Sequence, residues 1–188
     1  MVAFLLAIPG VKPGGASYLH SHMMGVLPDY RNQGVGRLLK LRQREEALAR
    51  GISLVEWTFD PLELKNAFFN IERLGAIVRR YVLNQYGTTS SHLHGGLPTD
   101  RCIAEWHVDS RRVLRVLSGG RPAVDERNRI AIPNDIADLR RSDPQRAREI
   151  QKRVSDSFLD GFQRDLAVVG FERGGDSSAY LLGPWHSD

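Results

Sequence analysis

Between an apolar run ending at Leu27 and a strongly helical one beginning at Val35, the chain reads Pro28-Asp29-Tyr30-Arg31-Asn32-Gln33-Gly34-Val35-Gly36-Arg37. A turn with glycines at Gly34 and Gly36 that opens onto a helix lines up consecutive main-chain N–H groups. The positive end of the helix dipole adds to them, and together they form a socket for phosphate oxygens. A side chain at either glycine would hold a diphosphate off the amides. Groups able to move a proton stand close by. His20 and His22 sit two apart on the segment before the loop, and Glu56 lies among Val55, Trp57 and Phe59 on the segment after the helix. Burial there would raise the carboxyl pKa and suit it to general-base work. The histidine pair also has two-ligand metal spacing, but no third and fourth ligand follow, so no metal is expected. His92 and His94 repeat the spacing inside a polar loop, where solvated side chains are the expectation.

Patterning supplies the elements that must position these groups. Residues 3–8 read as a buried strand closed by Pro9-Gly10, and Lys12-Pro13-Gly14-Gly15 as a turn. Residues 18–27 form the next strand, whose alternation puts Tyr18, His20, His22 and Met24 on one face and Leu19, Ser21, Met23 and Gly25 on the other. A helix follows over 35–50, with Val35, Leu38, Leu39, Leu41, Ala47 and Leu48 as its apolar stripe and Gly51 as its stop. Residues 54–59 read as strand and 62–74 as a second helix ended by Gly75. Strands at 76–86 and 102–108 flank a loop rich in Gly, Ser, Thr and His. After about residue 112 come a short apolar run at 130–133, a charged helix over 144–164 with Ile150, Val154, Phe158 and Phe162 on one face, and a hairpin of 167–172 and 179–182 around Gly174-Gly175. The expected division is a domain over 1–112, an Arg- and Gly-rich linker over 113–126, and a small C-terminal α/β subdomain over 127–188. That subdomain would cover the sheet or pair with another protomer.

The lead-in Val26-x-Pro28-x-Tyr30-Arg31 with Arg31-x-x-Gly34-x-Gly36 resembles motif A of the GNAT acyl-CoA N-acyltransferases. The β-loop-α-β-α-β order extends the resemblance over roughly residues 1–110. The resemblance implies an α/β fold with a mixed central β-sheet flanked by helices. It also implies acyl-CoA, acetyl-CoA in the first place, as co-substrate, and transfer to a primary amine of a small molecule. Carried over residue by residue, main-chain groups of Met24 and Val26 would pair with the pantetheine arm. Arg31, Asn32, Gln33, Gly34, Val35, Gly36 and Arg37 would hold the pyrophosphate. Asn66 matches an Asn that relatives use on the pantetheine arm, and is also a residue type common near helix starts. Many relatives protonate the leaving thiolate with a Tyr four residues before the Gly that ends the second helix. Here that position is Ile71, preceded by Asn70, so Tyr81, Tyr86 or solvent must stand in. The general base would come from Glu56, His20 or His22. Trp57 and Asp60 stand where the sheet should open to admit the thioester. Asp60 either caps the second helix or lines the acceptor site and draws a cationic amine.

Only one strand precedes the motif-A strand, where relatives have a strand, one or two helices and another strand. The bare sheet edge this implies leads to the expectation of a homodimer. An acyl-CoA-binding or sensing module without catalysis is the runner-up.

Composition narrows the classes further. At 188 residues, 41% hydrophobic and 26% charged, the chain reads as an ordinary globule with room for a core. No apolar run approaches the ~18–20 residues of a membrane span, and residues 2–8 lack the flanks of a signal peptide. The single Cys102 excludes an internal disulfide and points to a cytoplasmic address. The net charge of +4, carried mostly by Arg, suits a phosphorylated ligand. In the C-terminal helix the Arg residues interleave with Asp and Glu, which argues against a nucleic-acid track.

Overall fold

The computed structural model describes residues 1–87 and 97–186; His92 and His94 lie outside the described residues. The chain is α/β. Eight strands form one mixed sheet in the order β1-β2-β3-β5-β4-β7-β8-β6. The strands are β1 (Ala3–Val11), β2 (Ser17–Val26), β3 (Leu54–Phe59), β4 (Ile77–Val82), β5 (Arg101–His107), β6 (Asn128–Pro133), β7 (Ala167–Arg173) and β8 (Ser177–Gly183). The helices are α1 (Val35–Ala49), α2 (Leu64–Phe68), α3 (Arg111–Leu117), α4 (Ile136–Ser142) and α5 (Pro144–Gln163). Among the described residues only β2 and β3 pair in parallel, as expected for strands joined by a helical crossover.

Period-2 alternation on β3 divides the sheet into two unlike faces. Val55, Trp57 and Phe59 lie opposite Trp106, Ala104 and Cys102 of β5 and turn toward the helices. Trp57 and Trp106 meet edge to face with centroids 6.1 Å apart, and the Trp106 indole N–H donates to the Leu74 carbonyl at 2.7 Å. Full burial of aromatics of this size contributes roughly 1.5–3 kcal/mol each. Glu56 and Thr58 point the other way, beside Glu105 and Ile103 of β5, and make a charged face with Arg79 and Arg80. At its far end β1 shows Phe4, Leu6 and Ile8 to solvent.

The C-terminal elements continue the same sheet and share its core. β7 joins β4 through the pair Val78–Val168. Phe158 of α5 stacks on Tyr81 at 5.0 Å and meets Tyr180 of β8 edge-on at the same distance. The Tyr180 hydroxyl donates to the Pro61 carbonyl, and buried Arg112 donates to the carbonyls of Gly75 and Val169.

Five local features differ from expectation. The core-facing side of α1 carries Lys40, Gln43 and Ala47, while Leu38 and Leu48 are exposed. The second helix is short: α2 ends at Phe68, and a π-helical turn over Phe69–Arg73 follows, with the Leu74 amide donating to the Phe69 carbonyl five residues back. Such wide turns insert one extra residue and recur at functional sites. The stretch expected as linker begins with helix α3, capped by the Ser110 hydroxyl accepting from the Val113 amide. Helix α4 also lay outside the reading of the sequence. Finally, the β1–β2 register slips between Leu6–Met23 and Ala7–Ser21, which leaves His22 as a bulge. One extra residue reverses the parity of everything after it. Met24 therefore leaves the His20 face and lies under the start of α1, where its methyl is the nearest atom to Gly36.

Candidate active site

The loop after β2 begins with a 3₁₀ turn, Pro28–Tyr30, and reaches α1 through two residues with left-handed backbone, Asn32 at φ 60° and Gly34 at φ 83°. The loop holds its own shape. The Arg31 side chain donates to the Val26 carbonyl at 3.0 Å, and the Gln33 amide group donates to the Asp29 carbonyl at 2.7 Å. The first α1 bond runs from the Leu38 amide to the Gly34 carbonyl. By ordinary hydrogen-bond geometry, none of the main-chain N–H groups of Asn32 through Arg37 has an acceptor among the described residues. Six adjacent donors at a helix N-terminus form an anion socket. Nothing lies within 4 Å of where a Gly34 side chain would start, so the socket is open.

Beside it is a pocket of about 250 Å³ lined by Arg37, Phe68, Arg73 and Arg121, with Glu72 the one acid among its lining residues. The Arg37 Nε is buried without a partner. The amide row and these three cations fit a diphosphate carrying a further phosphate. Arg73 and Arg121 lie 48 residues apart in chain order, one on the π turn and one in the expected linker, and no local signal pairs them.

A second feature points toward the same loop. β2 and β3 pair only at Leu19–Val55 and His20–Glu56, and beyond that point they diverge. The splay opens toward Met24 and Val26 on one side and Thr58 and Phe59 on the other. An extended arm could lie there, with Met24 and Val26 offering main-chain groups. Asn66 is exposed in the first turn of α2.

Charged and polar groups gather at the apex of the splay. On the charged face, Glu56 is nearly buried and engaged through both oxygens, by Lys12 Nζ at 2.6 Å and by Arg80. Glu105 is buried next to it. Burial opposes its ionisation, but His107, Arg79 and Arg80 outweigh that effect and hold its carboxyl at about 2. His20 stands opposite Glu56 in register, with its ring 5.7 Å from that of exposed His22. Burial, and then the neighbouring His22, lower the His20 pKa despite Glu56, so the ring is neutral at pH 7. Thr58 and Tyr86 share a hydroxyl–hydroxyl hydrogen bond of 3.0 Å on this face. Tyr81 lies on the helical face, where its hydroxyl bonds Ser155 and Asp100.

Trp57 is on the helical face, in the core. The Asp60 carboxylate accepts from the Leu62 amide and takes both a 2.8 Å and a 3.0 Å bond from Arg140 of α4, so its charge is met within the fold. Ile71 is fully buried. Among the described residues no group of three or more His, Cys, Asp or Glu is arranged to hold a metal, and no helix is long and apolar enough to cross a membrane.

No protein-family model matches the chain, and no curated protein matches it. Solved structures do. Naa20 of Chaetomium thermophilum, in complex with a bisubstrate analogue, is similar at 20% identity and TM-score 0.48 over 55% of this chain and 58% of that one. Arabidopsis thaliana Naa50, in complex with the bisubstrate analogue CoA-Ac-MVNAL, is similar at 17% identity and TM-score 0.45 over 55% and 64%. The ribosomal-protein-S18-alanine N-acetyltransferase of Escherichia coli is similar at 25% identity and TM-score 0.44 over 57% and 62%. The chain thus spans less than two thirds of each of these structures.

Proposed function

We propose that this chain binds acyl-CoA, acetyl-CoA in the first place, and transfers the acyl group to a primary amine. The observation that carries the reading is the row of six unengaged amides from Asn32 to Arg37, set beside the strand pair that, among the described residues, is the parallel one and that parts after two couples. The amides and Arg37 grip the pyrophosphate, with Arg31 bracing the loop. Main-chain groups of Met24 and Val26 align the pantetheine arm in the splay, and Asn66 stands at the rim on α2. The charged face is then the side from which the amine approaches. His20 is neutral, half-buried and free of hydrogen bonds to carboxylates, so it accepts the amine's proton. Glu56 stabilises the imidazolium that results, and exposed His22 is the relay to solvent. Trp57 holds the floor of the splay from the helical side. Asp60 acts on the acceptor side only through the position it gives to Pro61-Leu62 and α2.

Calorimetry with CoA and a free-thiol assay against acetyl-CoA test this reading. Small-molecule amines and peptide amino termini belong in the same acceptor screen. CoA binding with no amine acylated would favour a sensing module, and absence of CoA binding would end both readings. The outer edge of β1, with Phe4, Leu6 and Ile8 exposed, is the surface through which we propose a homodimer. Light scattering at rising concentration should report twice the chain mass, and a monomer throughout would remove the proposal.

A further inference from the structure

Helix α1 turns a lysine into the sheet where its leucines were expected. Lys40 is 3% exposed, and Nζ donates to the Ser21 hydroxyl at 2.8 Å and to Gln43 Oε1 at 3.1 Å while lying 3.6 Å from the centre of the Trp57 ring. Ser21 and Trp57 are the residues immediately after the last paired couple, His20–Glu56. The ammonium therefore sits at the apex of the splay, on the helical face. No carboxylate bonds it among the described residues. The ionisable groups of the two flanking strands, His20 on β2 and Glu56 on β3, point to the opposite face, and Arg44 on α1 turns away to the Val108 carbonyl. Gln43 Nε2 beside it is buried without a partner. A cation desolvated among neutral groups is costly unless an anion arrives. Burial alone brings its pKa down to about 7, so it both holds and releases a proton near neutrality.

We propose that Lys40 is the proton donor to the departing CoA thiolate, across the sheet from the groups that deprotonate the amine. This rests on the acyl-transfer reading above. The amine nitrogen bonds the acyl carbon from the charged face, and the carbon–sulfur bond breaks. The sulfur takes a proton from Nζ, and the surplus proton of the amine passes to His20. One proton then returns through solvent from His20 to Lys40, leaving amide, free thiol and both side chains in their starting states. Tyr86 is the rival donor, but its hydroxyl lies with Thr58 on the amine's side. Lys40 fills the role that Ile71 cannot.

The test needs no acceptor. The thiol of CoA bound to the full chain is titrated by thiolate ultraviolet absorbance. An opposite charge within ~4–6 Å lowers an acid's pKa by about 1–3 units. The two groups titrate as a coupled pair, the thiolate lifting Lys40 from its resting value of about 7 by as much as the ammonium lowers the thiol. The wild-type complex should therefore show its first thiolate-forming step about one unit or more below the thiol pKa of free CoA. Lys40→Met should return it by about a unit, a tenfold loss of thiolate at fixed pH, while Lys40→Arg and Tyr86→Phe keep it low. CoA affinity by calorimetry, measured in parallel, separates the two ideas. If wild type fails to bind CoA, the acyl-transfer reading falls and this one with it. If it binds CoA with a thiol pKa equal to that of the free molecule, or one unchanged in Lys40→Met, only the role of Lys40 is overturned. The wild-type titration decides even if the variants do not fold.

Discussion

Gly36→Ala should make the protein more stable and its hold on CoA weaker, and the opposite signs make this variant informative. Gly36 lies in the first turn of α1 with ordinary negative φ, and a methyl there would meet only the Met24 methyl, at 3.6 Å. That is normal van der Waals contact, so the fold gains the ~0.5–1 kcal/mol by which Ala exceeds Gly within a helix. In a chain of this size that gain raises Tm by about 1–4 °C. The same methyl points into the space between the amide row and β2. Displacing a phosphate from one amide there costs ~1.5–3 kcal/mol, the scale of a hydrogen bond to a charged group. That corresponds to about a 10–150-fold rise in the Kd for CoA. Thermal unfolding and calorimetry on the same preparation read both quantities. A higher Tm with unchanged affinity would refute the placement of the pyrophosphate. Gly34→Ala is the less clean companion, because its φ of 83° adds ~1–2 kcal/mol of strain and lowers both quantities.

Arg140→Met leaves Asp60 largely buried without its cation and with only the Leu62 amide to meet its charge, so it should cost ~3–5 kcal/mol. Thermal unfolding should show the loss, and adding Asp60→Asn should recover much of it. The lowered folded pKa of Lys40, about 7 against 10.5, means the unfolded chain binds more protons between those values. Stability should therefore climb as pH rises from about 7 to 10.5, and denaturant midpoints should lose that slope in Lys40→Met. His20, also lowered, should set an acidic limb in the rate below pH 6.5. Once an acceptor is found, His20→Gln should cut kcat/KM by ~10²-fold or more and remove that limb. A retained limb would move the base to Glu56 or His22.

Much of the frame was legible because it rests on local chemistry. Leu54–Phe59 is a strand because β-branched and aromatic residues run between Gly51 and Asp60-Pro61, and α1 starts where the glycine loop ends. The misreadings came from features that only tertiary contacts decide. Leu38, Leu39 and Leu41 made a plausible buried stripe on α1, but the sheet takes the side bearing Lys40 and Gln43, and sequence hydrophobicity counts a buried lysine as surface. A single bulge at His22 moved Met24 to the other face. α3 hid in an Arg-rich run whose Arg112 is buried only because the carbonyls of Gly75 and Val169 receive it. Asp60 read as a cap or an acceptor-site acid, since nothing near it announces Arg140, 80 residues away.

The short pairing of β2 with β3 gives this sheet an unpaired edge in its interior. Past His20 and Glu56 both strands keep a partner on their outer side only, β1 for one and β5 for the other. Exposed strand edges invite addition of foreign strands, and proteins blunt them with charge, bulges or cover. Here the two lips diverge from a closed apex, so a peptide of uniform width cannot pair with both along its length. The β1–β2 hairpin and α1 are consequently tied to the remaining strands by few main-chain bonds, and should exchange amide hydrogens as a separate unit, ahead of β3, β5 and β4.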